Sequence, residues 1–208
     1  MKLSFVFGAA LLGLSLVSVP AIAKEEVTKL DTTKSVVKWV GSKITGDKHN
    51  GTVKVKGGEV TFASGVPTKG TVTIDMKTIA NEDLKDASYN AKLVGHLSSD
   101  DFFDVQKFPE ATLNLKKITS TGTGTFKVEG DMTIKGKTNP VTMDAKLVSA
   151  DKGAQHVNVA FKFDRTLWDV RYGSGKFFKN LGDKMISDEI SLDVNVYMQS
   201  TSFKTASK

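Results

Sequence analysis

Residues 190–198 read ISLDVNVYM, in which Ile190, Leu192, Val194, Val196 and Met198 alternate with Ser191, Asp193 and Asn195. A period of two puts the apolar set on one face of an extended chain and the polar set on the other. The same alternation runs backward through the chain. It recurs in Val157, Val159, Phe161 and Phe163, in Val141, Met143, Ala145 and Leu147, and in Phe126, Val128, Met132 and Ile134. Earlier sets are Ala111, Leu113 and Leu115, then Val72, Ile74 and Met76, Val60 and Phe62, Val53 and Val55, and Val37 and Trp39. This predicts about nine strands, each with one dry and one wet face, in an antiparallel arrangement.

Turn chemistry separates the runs. Asn50-Gly51, Gly57-Gly58, Gly122-Thr123-Gly124 and the stretch from Gly136 to Pro140 supply the positive-φ or pre-bent positions that hairpins use. Two segments depart from the pattern. Residues 82–97 place Leu84, Ala87 or Ser88, Ala91, Val94 and Leu97 at helical spacing, and 176–186 read as a short amphipathic helix or an irregular loop. Many half-buried strands with two helical interruptions predict a mainly β domain, either a sandwich or a closed barrel. The inward positions carry few charges, so a barrel of about eight strands would hold either a filled core or one slender apolar ligand.

Composition narrows the setting. Lys2, an apolar run from Leu3 to Val19 and Ala21-Ile22-Ala23 have the form of a secretory signal peptide cut after Ala23. The expectation is therefore a signal peptide over 1–23, a single domain over 24–208 with a polar tail over 199–208, and a periplasmic or secreted location. Cysteine does not occur, which excludes disulfides, thiolate catalysis and cysteine-based metal sites. The net charge of +6 is spread as single lysines alternating with apolar residues. That describes wetted strand faces rather than a nucleic-acid stripe. No membrane insertion is expected once the leader is removed.

Two stretches carry polar groups that invite a chemical reading. The first, GHLSSDDFFDVQKFP (95–109), joins His96 to Asp100, Asp101 and Asp104 and to Phe102, Phe103 and Phe108. His49, His96 and His156 do not sit at the spacing of a helical metal pair, and no nucleophile-elbow or phosphate-loop motif occurs. No metal or cofactor is expected. Ser98, Ser99 or Asp100 suits the capping of a helix end. The second stretch, FDRTLWDVRYG (163–173), continues the inward parity of Phe161 and Phe163 to Arg165. A buried guanidinium needs a carboxylate or several carbonyls, and Asp100, Asp101, Asp104 and Asp183 are the candidate partners. Trp168 and Tyr172 beside it have the apolar body and polar edge that suit a pocket rim.

The ordered landmarks resemble the YceI-like family of exported lipocalin-like proteins. They are Trp39, Lys48-His49-Asn50-Gly51, the run from Gly95 to Asp104, Phe108-Pro109, the run from Gly130 to Gly136, and Asp164 to Trp168. Asp131-Met132 departs from the G-x-L-T-I-x-G form of the family signature. The resemblance implies an antiparallel eight-stranded barrel with one helix between early strands. It also implies an apolar tunnel for a polyisoprenoid chain, such as a prenyl quinone or prenyl phosphate, a homodimer, and a carrier or stress-associated role without catalysis. On this reading Trp39, Phe62, Phe126, Met132, Ile134, Phe161 and Phe163 line the wall. Phe102, Phe103, Phe108, Trp168 and Tyr172 shape the mouth or closed end, and Arg165 and His96 lie near the head group. The alternatives are a filled-core, partner-binding barrel and a hydrolase or isomerase that uses His96 with a carboxylate.

Overall fold

Every run of alternating residues lies in a strand, and the strands close on themselves. Val53 and Val55 share one strand with Val60 and Phe62, and the first strand, over 25–29, has no such run. The computed structural model describes residues 25–151 and 154–199, so the expected signal segment and the tail beyond Gln199 lie outside the described residues. The elements are β1 (Glu25–Lys29), β2 (Val36–Ser42), β3 (Lys48–Ala63), β4 (Val66–Asn81), α1 (Ala87–Ser98), β5 (Glu110–Gly122), β6 (Thr125–Ile134), β7 (Lys137–Asp151), β8 (Ala154–Asp164) and β9 (Glu189–Tyr197). Single 3-10 turns occupy Arg165–Trp168 and Gly182–Lys184.

The neighbours run β3-β2-β9-β8-β7-β6-β5-β4, and β4 pairs back to β3. This is a closed eight-stranded antiparallel barrel. The ninth strand does not widen it. β1 pairs with Glu59–Ala63 and β2 with Lys48–Lys54 along β3, so the two occupy successive halves of one barrel position. The break between them is held by Leu30 N–H on Gly58 O and Asp31 N–H on Tyr197 O. Closure pairs each of β2 through β9 on both sides, and the short strand β1 is left as the one terminal strand among the described residues.

The alternation predicts the inward faces correctly and misreads two turns. Asn50-Gly51 and Gly57-Gly58 lie inside the continuous strand β3. The buried parity of β3 changes from Val53 and Val55 to Val60 and Phe62, and one extra residue must be absorbed between them. A register shift between Val55 and Gly57 absorbs it as a bulge, not as a hairpin. The segment 137–140 likewise belongs to β7, and only Lys135-Gly136 turns. The stretch 176–186 is irregular apart from the 3-10 turn at Gly182–Lys184.

The connections divide unequally between the two ends. The short turns at 64–65 and 123–124 and the break after β1 lie at one end, called here the hairpin end. Residues 43–47, 82–109 and 165–188 gather at the other, the loop end. There α1 begins at the Asp86 cap, whose carboxylate accepts from Ser88 and Tyr89 N–H. It ends where Ser99 Oγ donates to His96 O at 2.8 Å. Outward positions such as Lys54, Lys56, Asp144, Lys146 and Asn158 carry the polar set. A membrane-spanning barrel has the opposite polarity, with its apolar band outside.

Candidate functional site

Inward side chains from all eight barrel positions leave an elongated cavity of about 480 Å³ rather than filling the interior. It runs from Leu30, Pro67, Leu147 and Gln155 at the hairpin end to Ser42, His96, Tyr172 and Ile186 at the loop end. The wall between is almost wholly apolar because the period-two pattern sends Val, Ile, Leu, Met and Phe inward. Volumes of this order are typical of small-molecule sites.

Among the residues singled out by sequence, Trp39, Phe62, Phe126, Met132, Ile134, Phe161 and Phe163 all lie on this wall. Phe102, Phe103, His96, Tyr172 and Arg165 reach it from the loop end. Phe108 and Trp168 do not line it. Phe108 packs over the Lys135-Gly136 turn, where a Cβ on Gly136 would come within 2.8 Å of its ring. Trp168 is fully buried behind the wall, with its indole N–H on Met132 O at 2.8 Å and its ring edge-on to Phe163. It is a core anchor, not a rim residue. The Trp39 indole nitrogen is buried and has no hydrogen-bond acceptor among the described protein groups.

His96, Phe102 and Tyr172 meet at the mouth. The imidazole stands edge-on to both rings, with centroids 4.9 and 4.5 Å away, and its Nε2 lies 3.0 Å from Asp101 Oδ2. Asp101 therefore serves the histidine and not Arg165. Lys135 Nζ fastens the same loop by donating to Asp100 O.

Arg165 is 1% exposed, at the position that strand parity predicts. Its partners are not Asp100, Asp101, Asp104 or Asp183. The guanidinium donates to Val170 O at 2.7 Å, Ser187 O at 3.0 Å and Ile186 O at 3.4 Å. The Asp188 carboxylate stands 3.7 Å away. Burial holds the guanidinium below its ordinary pKa even though Asp188 and Asp164 pull it upward. Asp188 was hidden from sequence reasoning because it sits 23 residues along in an irregular loop, with no periodicity to place it.

Sequence reasoning also missed the part of the rim formed by Ser42, Lys43, Asp47 and His49. Lys43 Nζ lies 3.6 Å from Asp47, and His49 Nδ1 lies 2.8 Å from Asp83. Burial works to raise the Asp83 carboxyl, but the Asn50 N–H, His49 and Asn81 outweigh it and hold it at about 2. Leu93 and Leu97 of α1 also face the cavity. Their i, i+4 spacing was a usable signal. Among the described residues, no group of three or more His, Cys, Asp or Glu side chains is placed to hold a metal ion.

Comparison with known proteins agrees with this geometry. The family model described as YceI-like domain matches residues 29–198. A UPF0312 protein of Pseudomonas putida strain W619 is 34% identical over 140 residues, covering 67% of this chain and 70% of the relative. A UPF0312 protein of Azotobacter vinelandii strain DJ is 28% identical over 149 residues, covering 72% and 73%. Among solved structures, Burkholderia cenocepacia BcnA superposes with a TM-score of 0.60 at 23% identity, covering 82% of this chain and 99% of that one. A polyisoprenoid binding domain from Saccharophagus degradans, implicated in plant cell wall breakdown, gives 0.59 at 15% identity, covering 86% and 100%. At these identities the structural likenesses speak to the fold alone.

Proposed function

This chain belongs to the YceI-like domain family, and from that premise we propose that it is an exported, periplasmic carrier that shields a polyisoprenoid chain inside its barrel. The ligand class is a prenyl quinone or prenyl phosphate, and the role is binding rather than catalysis, without a cofactor. The observation that carries this reading is the continuous apolar cavity, whose charged lining residues gather at the loop end. Each buried CH₂ contributes about 0.8 kcal/mol, so a few isoprene units suffice for useful affinity. Ordering the flexible chain offsets part of that gain. The described Saccharophagus degradans domain supports the ligand class, and the leader-like form of residues 1–23 supports export. A homodimer belongs to the same reading.

Two other readings have less support. A filled barrel does not account for a cavity that reaches from Gln155 to Tyr172. A hydrolase or isomerase centred on His96 would need a reacting group beside the imidazole. The imidazole does meet a carboxylate, Asp101 at 3.0 Å, but it also packs edge-on against Phe102 and Tyr172, an arrangement that suits a structural latch at the mouth as well as a catalytic pair.

The direct test is mass spectrometry of lipid extracted from the protein purified out of its native envelope. A prenyl species in stoichiometric amount is the expected result. Its absence, with other lipids or none in its place, overturns the proposal.

A further inference from the structure

The charges at the mouth show which head group the tunnel accepts. We infer that the polyisoprenoid bound here carries an uncharged, hydrogen-bonding head, such as an alcohol, phenol or quinone carbonyl, and that the tunnel discriminates against prenyl phosphates. This rests on the carrier reading above and narrows it to one of its two ligand classes.

The polar wall residues able to carry positive charge are Lys43, His49, His96 and Arg165. Each already has a carboxylate. Lys43 faces Asp47 at 3.6 Å, His49 faces Asp83 at 2.8 Å, His96 faces Asp101 at 3.0 Å, and Arg165 faces Asp188 at 3.7 Å. Arg165 is the most committed, because three backbone carbonyls take up its N–H groups and its side chain is 2% exposed. A phosphate drawn into this mouth would meet the Asp47 carboxylate on the wall itself, a lysine and an arginine that already face carboxylates, and no lining guanidinium free to grip it in bidentate fashion. Burying an anion without a dedicated partner is strongly unfavourable.

A neutral head meets a different surface. The second nitrogen of each imidazole, the Tyr172 hydroxyl and the Ser42 hydroxyl lie at or beside the mouth, and each can donate or accept one hydrogen bond without a change of charge. The aromatic edges of Phe102 and Tyr172, with centroids 5.3 Å apart, add a flat apolar wall against which a ring or short head can lie.

The test keeps the tail constant and varies the head. Geranylgeraniol and geranylgeranyl monophosphate are titrated into the purified chain below their aggregation limits, with displacement of N-phenyl-1-naphthylamine as the readout. The alcohol is expected to bind at least tenfold more tightly than the phosphate. Equal or tighter binding of the phosphate overturns the head-group inference and leaves the carrier reading standing. Binding of neither probe removes both. Asp47→Asn releases Lys43 from its carboxylate and is expected to narrow the gap severalfold by strengthening phosphate binding. A ratio unmoved in this variant overturns the charge-pairing account.

Discussion

Arg165 shows how much one residue type at one parity can disclose. Strand alternation places it inward, and elementary electrostatics then requires several acceptors around it. What could not be read was their identity, because the Val170, Ile186 and Ser187 carbonyls and Asp188 come from irregular chain that no period describes. The arrangement predicts a large asymmetry between breaking the group and leaving it intact. Arg165→Met strands three carbonyls and leaves Asp188 with Lys176 alone, and is expected to cost about 3–5 kcal/mol, seen as a lower urea midpoint at unchanged slope. Arg165→Lys keeps the charge but lacks the planar fork, so it recovers only part of the loss. Asp83 yields a second prediction, in pH. Its carboxyl is held at about 2 in the fold, below the ordinary aspartate value of 3.8. A depressed carboxylate stabilises the fold above the unfolded value and loses that contribution as pH falls through the folded one. The parent protein should therefore lose about 1–2 kcal/mol more than Asp83→Asn between pH 6 and pH 2. Parallel denaturation curves at the two pH values measure it.

At the scale of elements, β3 carries the instructive error. Its paired glycines signal backbone freedom, and a turn and a bulge both use that freedom. The parity change between Val55 and Val60 requires an odd insertion but does not say whether the chain reverses. Only the partner strand decides, and β4 runs alongside β3 through the bulge. Gly51 is a glycine for a different reason. It sits opposite Trp39 and Asn81, and a Cβ there would come within 1.8 Å of Ala80 O and 2.7 Å of the Trp39 ring. The third prediction follows from that crowding. Gly51→Ala pushes β4 away from β3 at the barrel's closing seam and is expected to cost about 1–3 kcal/mol or more. Gly57→Ala, where a Cβ meets nothing within 4 Å, should stay within about 0.5 kcal/mol of the parent. Thermal or urea unfolding of the pair separates close approach from mere glycine content.

The whole molecule adds what no strand contains alone. Period-two faces fit a sandwich as well as a barrel, and only the β3–β4 pairing closes the ring and turns the dry faces of eight barrel strands into the wall of one cavity. That closure makes a decisive substitution possible. Ala145 is buried on the wall, with Phe126 and Val159 as its cross-strand neighbours, and it is among the smallest side chains facing the cavity. Ala145→Trp projects an indole into empty space rather than into packed atoms. The usual penalty for enlarging a core residue is therefore reduced, and new dispersion contacts offset what remains. The expected outcome is a chain whose unfolding midpoint matches or exceeds the parent's, with affinity for an isoprenoid alcohol reduced at least tenfold. Lys146→Trp places the same ring on the wet face one residue away and should leave binding unchanged. If Ala145→Trp folds and keeps its lipid, the ligand lies outside the barrel. If it loses the lipid while staying folded, the interior made by closure is the binding site.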